Sequence, residues 1–99
     1  MLLPLSCSSA CTTLQPENIP LDGAVWTVSY DDIRVAMAAA RAGDAKHRSA
    51  RIYEVWVRNR NHMQIFFTEN IPGYVEYADV QRVAGKWRYM TTARQISTA

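Results

Sequence analysis

Between Arg51 and Phe67 the sequence RIYEVWVRNRNHMQIFF alternates twice between apolar and polar positions. Tyr53, Val55 and Val57 form one odd-numbered apolar row, and Met63, Ile65 and Phe67 form another after a polar break. Period-two alternation rich in β-branched and aromatic residues predicts two strands with one buried face. For both rows to share that face, opposed residues must have numbers with an even sum, as Val57 and Met63 do. A two-residue loop would put the rows on opposite faces. The pattern therefore predicts a three-residue loop, Asn59-Arg60-Asn61, in which Asn61 tolerates the left-handed conformation. The other face carries Ile52, Glu54, Trp56 and Arg58, then His62, Gln64, Phe66 and Thr68. It is amphipathic, and Trp56 and Phe66 give it an aromatic character.

The period changes upstream. Leu21-Asp22-Gly23 reads as a turn after Pro16 and Pro20, and Ala24 to Val28 as a short β-prone run. Ser29 is placed as an N-cap, with Asp31 and Asp32 in the first helical turn and Ser29-x-x-Asp32 as a short relative of the capping box. The helix is expected from Tyr30 to Ala42, burying Ile33, Ala36, Met37 and Ala40, with Gly43 as its left-handed C-terminal cap. Downstream, Asn70-Ile71-Pro72-Gly73 is a strong turn signal. Tyr74 to Val83 reads as a strand in which apolar parity moves from Val75 and Tyr77 to Val80, predicting a bulge near Ala78-Asp79. A tight turn at Ala84-Gly85 leads to a strand from Lys86 to Met90, with Trp87 and Tyr89 on one face. Residues 93–99 are expected to fray.

The predicted fold class is α+β: one N-terminal helix packed on a curved antiparallel sheet of four to five strands, in the order short strand, helix, four-strand meander. In general shape this resembles small cystatin-like and nuclear-transport-factor-like folds, which also pack a helix in a curved sheet. Ninety-nine residues allow a single domain, assigned to residues 21–92. The 48% apolar and 20% charged composition is that of a folded chain, and a net charge of +2 does not point to a polyanion partner. Residues 1–20 differ in character and read either as an export or lipoprotein-like segment or as a disordered tail with two incidental thiols. They hold both cysteines and no charge before Glu17, and begin with the apolar Met1-Leu2-Leu3-Pro4-Leu5. Ser8-Ser9-Ala10-Cys11 resembles the lipidation box of bacterial lipoproteins, with Ser8 where a leucine is usual. That resemblance implies export, a lipid on Cys11 as the one membrane attachment, and a periplasmic or cell-envelope location; the alternative is cytoplasmic.

Catalytic and cofactor motifs are missing from the sequence. Both cysteines precede the domain, His47 and His62 stand far from them, no metal-ligand spacing occurs, and the glycines form no phosphate loop. Glu54, Glu69, Glu76 and Asp79 meet as acid–base groups only through tertiary proximity, and Glu54 has Arg58 or Arg88 as candidate partners. Lys46, His47, Arg48 and Arg51 form the densest basic cluster, read either as a solvated connection or as a phosphate or acidic-partner contact. The expected function is a non-catalytic binding or protein-interaction module engaging a protein or a small ligand. Trp56, Arg58, His62, Phe66 and Trp87 are the candidate contacts. The first alternative is nucleic-acid binding on an aromatic and arginine sheet face; the second is a small-molecule binder or enzyme with a pocket between helix and sheet.

Overall fold

The computed structural model describes residues 19–68 and 74–96. The tail with Cys7 and Cys11 and the turn at Asn70 to Gly73 lie outside the described residues. Five strands form one open sheet in the order β1-β2-β3-β4-β5. They are β1 (Leu21–Gly23), β2 (Ile52–Asn59), β3 (His62–Phe67), β4 (Tyr74–Val83) and β5 (Lys86–Ile96), and one helix, α1 (Tyr30–Gly43), covers one face. The α+β class and the order of helix and meander are as the periodicity predicts. The sheet is mixed, however, because β1 pairs with β2 in parallel. A helix lying between two adjacent strands returns the chain to the end where it began, so the second strand repeats the direction of the first.

The first strand is displaced from Ala24–Val28 to Leu21–Gly23. Gly23 ends it: its φ is +81° and a Cβ there would stand 2.2 Å from the Val57 carbonyl oxygen. That backbone turns the chain off the sheet, and Val25–Thr27 winds into a 3-10 turn. Helix α1 begins as its sequence dictates. Asp32 N–H donates to Ser29 Oγ at 3.0 Å, and Ser29 N–H donates to Asp32 Oδ2 at 3.1 Å, a complete capping box. Its end differs from expectation. Gly43 lies inside the helix and Asp44 is the C-cap in extended conformation. The glycine is required by packing, since a Cβ at Gly43 would fall 2.0 Å from Tyr89 Cγ.

Ile33, Ala36, Met37 and Ala40 face Val55, Val57, Met63, Ile65, Phe67, Ala78, Val80 and Trp87 in one buried core. Each large aliphatic or aromatic side chain so buried contributes about 1.5–3 kcal/mol. Within the central hairpin Val57 does oppose Met63, but the connection is a two-residue turn with Asn59 opposite His62. A bulge between Val57 and Asn59 absorbs the parity that a third loop residue would have supplied. A second irregularity at Tyr53 exchanges the first two residues: Ile52 enters the core while Tyr53 packs against Phe66 on the opposite face.

Strand β4 alternates without interruption, pointing Glu76, Ala78 and Val80 inward. The β4–β5 ladder does shift register beside the expected position, between Asp79 and Val80, but the extra residue is on β5, Met90 between Tyr89 and Thr91. The hairpin turn carries φ values of +53° at Ala84 and +80° at Gly85, the two positive values of a type I′ connection. Strand β5 does not end at Met90. Pairing continues through Ala93 opposite Tyr77 and Arg94 opposite Glu76 to Ile96 opposite Tyr74, so residues 93–96 belong to the sheet.

Candidate functional site

The continuous alternation of β4 places a carboxylate, Glu76, on the core side of the sheet, between Phe67 of β3 and Arg94 of β5. A buried carboxylate needs donors, and the segment after α1 supplies them. Arg41, in the last turn of α1, donates through Nη1 to the carbonyl oxygens of Ala50 at 2.6 Å, Arg48 at 3.3 Å and His47 at 3.4 Å. Asp44 accepts from Lys46 N–H at 3.2 Å, and Ala45–His47 closes into a 3-10 turn. These bonds pin the loop across the C-terminal end of the helix and direct its side chains down onto the sheet. Burial pushes the Arg41 guanidinium below its ordinary value, though it stays charged at any accessible pH.

His47 is only 2% exposed. Its ring stacks on Phe67 with centroids 4.0 Å apart and planes at 16°. Its Nε2 lies 2.8 Å from Glu76 Oε1. Lys46 Nζ donates to Glu76 Oε2 at 2.9 Å, and Arg94 Nη2 reaches the same oxygen at 3.4 Å. Burial pushes the Glu76 carboxyl up, but the hydrogen bonds from His47 and Lys46 and the Lys46 charge outweigh it and hold the group below the usual glutamate range. Glu76 is therefore a carboxylate at neutral pH, and His47 Nε2 is the donor to it. The other ring nitrogen, Nδ1, is buried with no hydrogen-bond partner among the described residues.

This cluster forms the floor of a pocket of about 510 Å³. Lys46, Ser49, Ala50 and Arg51 wall it on the loop side, Phe67 and Thr68 at the end of β3, and Arg94 on β5. Its size falls within the roughly 300–1,000 Å³ of small-molecule sites. The lining combines an apolar surface from Phe67 and Ala50 with three cations and one carboxylate among the described residues. Ser49 lines the pocket, but its hydroxyl is not bonded to His47 Nδ1, so the pair lacks the nucleophile–base contact of a hydrolase. No group of three His, Cys, Asp or Glu able to hold a metal ion occurs among the described residues.

The residues singled out from sequence lie elsewhere. Trp56, Arg58, His62 and Phe66 share the sheet face opposite α1. Arg58 sits 5.9 Å from the Trp56 ring, and His62 Nε2 is 2.5 Å from Asp79 Oδ1. Phe66 is only 8% exposed, because Tyr53 packs edge-on at 6.2 Å and Tyr77 tilts over it at 5.0 Å. Trp87 is not part of that face. It is buried under α1, donates through Nε1 to Asp32 Oδ1 at 3.2 Å, and carries the Arg82 guanidinium 5.0 Å from its ring. Glu54 pairs with no arginine among the described residues: burial, the neighbouring Asp22 carboxylate and a hydrogen bond between the two side chains raise its pKa.

Of the pocket residues, the basic cluster at Lys46, His47 and Arg51 was visible in the sequence and Glu76 stood among its possible acid–base groups, but the inward position of Glu76 and the part of Arg94 were not visible. The available signal was the parity of Glu76 with Ala78 and Val80, which holds once β4 is read without a bulge. Comparison with known proteins finds no family, no characterised protein and no solved structure that matches this chain.

Proposed function

We propose that this chain is a non-catalytic binding module that takes a small molecule into the pocket above His47 and Glu76. The observation that carries this reading is the pocket itself: a cavity of about 510 Å³ in which apolar lining meets converging, pre-organised polar groups. Such a combination is the general signature of a ligand site. The outer sheet face supports a binding role less well, because Phe66 is already covered by Tyr53 and Tyr77 and leaves little apolar area for a partner.

The test fills the cavity. Ser49 is exposed and lines the pocket, so Ser49→Trp introduces an indole there without touching the core. A panel of small aromatic acids, alcohols and amines is screened by thermal shift against both proteins. Stabilisation by one compound class in the wild type that disappears in S49W supports the reading. Equal shifts in both proteins, or none in either, overturn it.

The lipoprotein-like stretch ending at Cys11 supports a location in the bacterial cell envelope for this module. Intact mass of the chain recovered from fractionated host cells tests that part separately. A lipid-bearing chain starting at Cys11 supports it, and an unprocessed chain in the cytosolic fraction overturns it.

A further inference from the structure

We infer that the ligand of this pocket is a small phosphate monoester, an oxyanion head carrying close to two negative charges on a compact organic group. The inference rests on the pocket being a ligand site and goes beyond it by naming the chemistry. Three features of the lining lead to it. Glu76 is the one carboxylate among the described lining residues, and it already accepts from His47, Lys46 and Arg94 together. Among the described lining residues Lys46 and Arg51 alone set two positive charges against that single negative one, and Arg94 stands beside them. The Arg51 guanidinium, at the rim, makes no hydrogen bond or ion pair among the described residues. A pocket so lined carries a surplus of positive charge, which low-dielectric walls focus on its contents.

The arrangement also distinguishes a phosphate from other anions. Lys46 Nζ and Arg94 Nη2 stand within reach of one and the same carboxylate oxygen, at 2.9 and 3.4 Å, so the cations are gathered at one spot. A ligand with two well-separated carboxylates would leave one of them without a cation. A tetrahedral phosphate concentrates about −1.5 to −2 charge and three acceptor oxygens at one point, and guanidinium forks match that geometry with paired N–H donors. The floor beneath is flat and apolar where His47 stacks on Phe67, and Ala50 continues it. The organic part of the ester lies there. Arg41 acts as a positioning residue, since its three bonds to loop carbonyls hold in place the loop that brings Lys46 and Arg51 to the pocket.

The experiment uses the full chain, isotope-labelled, with backbone amide shifts of Ser49, Ala50, Arg51 and Thr68 followed during titration. Phenyl phosphate, benzoate, benzyl alcohol and inorganic phosphate are the probes, applied to wild type, R51Q and S49W. Phenyl phosphate is expected to bind at least tenfold more tightly than benzoate. Loss of the Arg51 charge-assisted contact is expected to weaken it by about tenfold while leaving benzyl alcohol unchanged, and S49W is expected to abolish all binding. If benzoate or benzyl alcohol binds as well as phenyl phosphate and S49W blocks it, the phosphate inference falls and the pocket reading stands. If inorganic phosphate binds as tightly as the ester, the organic subsite falls. If no probe moves these amides, both readings fall.

Discussion

Replacing Glu76 by leucine separates the cost of a buried donor from the worth of an ion pair. Glu76 has three partners, and they differ in what they lose. The Lys46 and Arg94 side chains are 53% and 46% exposed, so loss of the carboxylate strands neither cation in a buried place, and exposed ion pairs contribute about 0–1 kcal/mol. His47 is 2% exposed and wedged against Phe67, so its Nε2–H would be stranded. An unsatisfied buried donor costs about 1–3 kcal/mol. Glu76→Leu should therefore destabilise by about 2 kcal/mol, lowering the melting temperature of a domain this size by roughly 8–16 °C. In a His47→Phe background the stranded donor is gone and a ring still stacks on Phe67. There the same substitution should cost less than about 0.5 kcal/mol, since exchanging both partners of a buried pair for apolar groups is near neutral.

Urea unfolding of the four proteins, followed by tryptophan fluorescence, closes the double-mutant cycle. A coupling energy of about 1.5 kcal/mol or more, little changed by 0.5 M salt, supports the account. Equal costs of Glu76→Leu in both backgrounds would refute it and assign the loss to the surface cations. The pH dependence provides a second check. The Glu76 pKa is depressed in the folded state, so its stabilisation is complete above the unfolded glutamate value of about 4.3 and is lost as pH falls through the lower folded value. From about pH 5 downward the wild type should lose stability more steeply than E76L. Asp32 is depressed as well, but it is present in both proteins and cancels in the difference.

Four other outcomes follow from the packing. Asp32→Ala removes the capping box and the acceptor of the buried Trp87 indole, and should cost about 2 kcal/mol with a change in tryptophan emission; a loss under 0.5 kcal/mol would mean the indole has another acceptor. Gly43→Ala should destabilise by about 1–3 kcal/mol in chemical unfolding, although alanine is the better helix former, because its Cβ collides with the base of the Tyr89 ring. Glu54→Gln should raise the unfolding midpoint at pH 7. The Glu54 pKa is raised by burial and by Asp22, so its ionisation opposes folding above the ordinary glutamate range, and the gain should vanish as pH drops below that range. Ala84→Asn relieves a non-glycine residue at φ +53° and makes the preferred Asn-Gly turn, for a gain of about 0.5–1 kcal/mol by the same unfolding assay.

What the sequence made legible follows the range of the interactions involved. Ser29, Asp32 and the stripe of Ile33, Ala36, Met37 and Ala40 interact within a few residues, and the helix they predict is the helix observed. The hairpin register from Val57 opposite Met63 was also readable, because burying both apolar rows admits one parity. The means of satisfying that parity was not readable. A loop residue and a strand bulge are equivalent in the pattern, and the choice falls to the whole sheet. Gly43 shows the same limit: a glycine after a helical run suggests a left-handed cap, and only the Tyr89 ring, 46 positions away in the chain, reveals a packing requirement instead.

The site appeared in the sequence only in part, as the basic cluster from Lys46 to Arg51, for a related reason. Large aromatic residues attract attention as binding groups, yet here Trp87 fills the core and Phe66 is covered by Tyr53 and Tyr77. The residues that remain able to meet a ligand are charged and individually ordinary. Lys46, Arg51, Glu76 and Arg94 come from a loop, the residue before β2, and two later strands, and each reads alone as a solvated surface group. They become a site because β4 turns Glu76 inward and the core closes over His47. A carboxylate at an inward strand position, buried with a histidine, has a desolvation cost that must be offset by fixed donors. The donors gathered for that purpose bring more positive charge than one carboxylate carries. The cations at Lys46 and Arg94 are thus a consequence of stabilising Glu76, and the anion site proposed above would draw on groups that already hold the fold at this end.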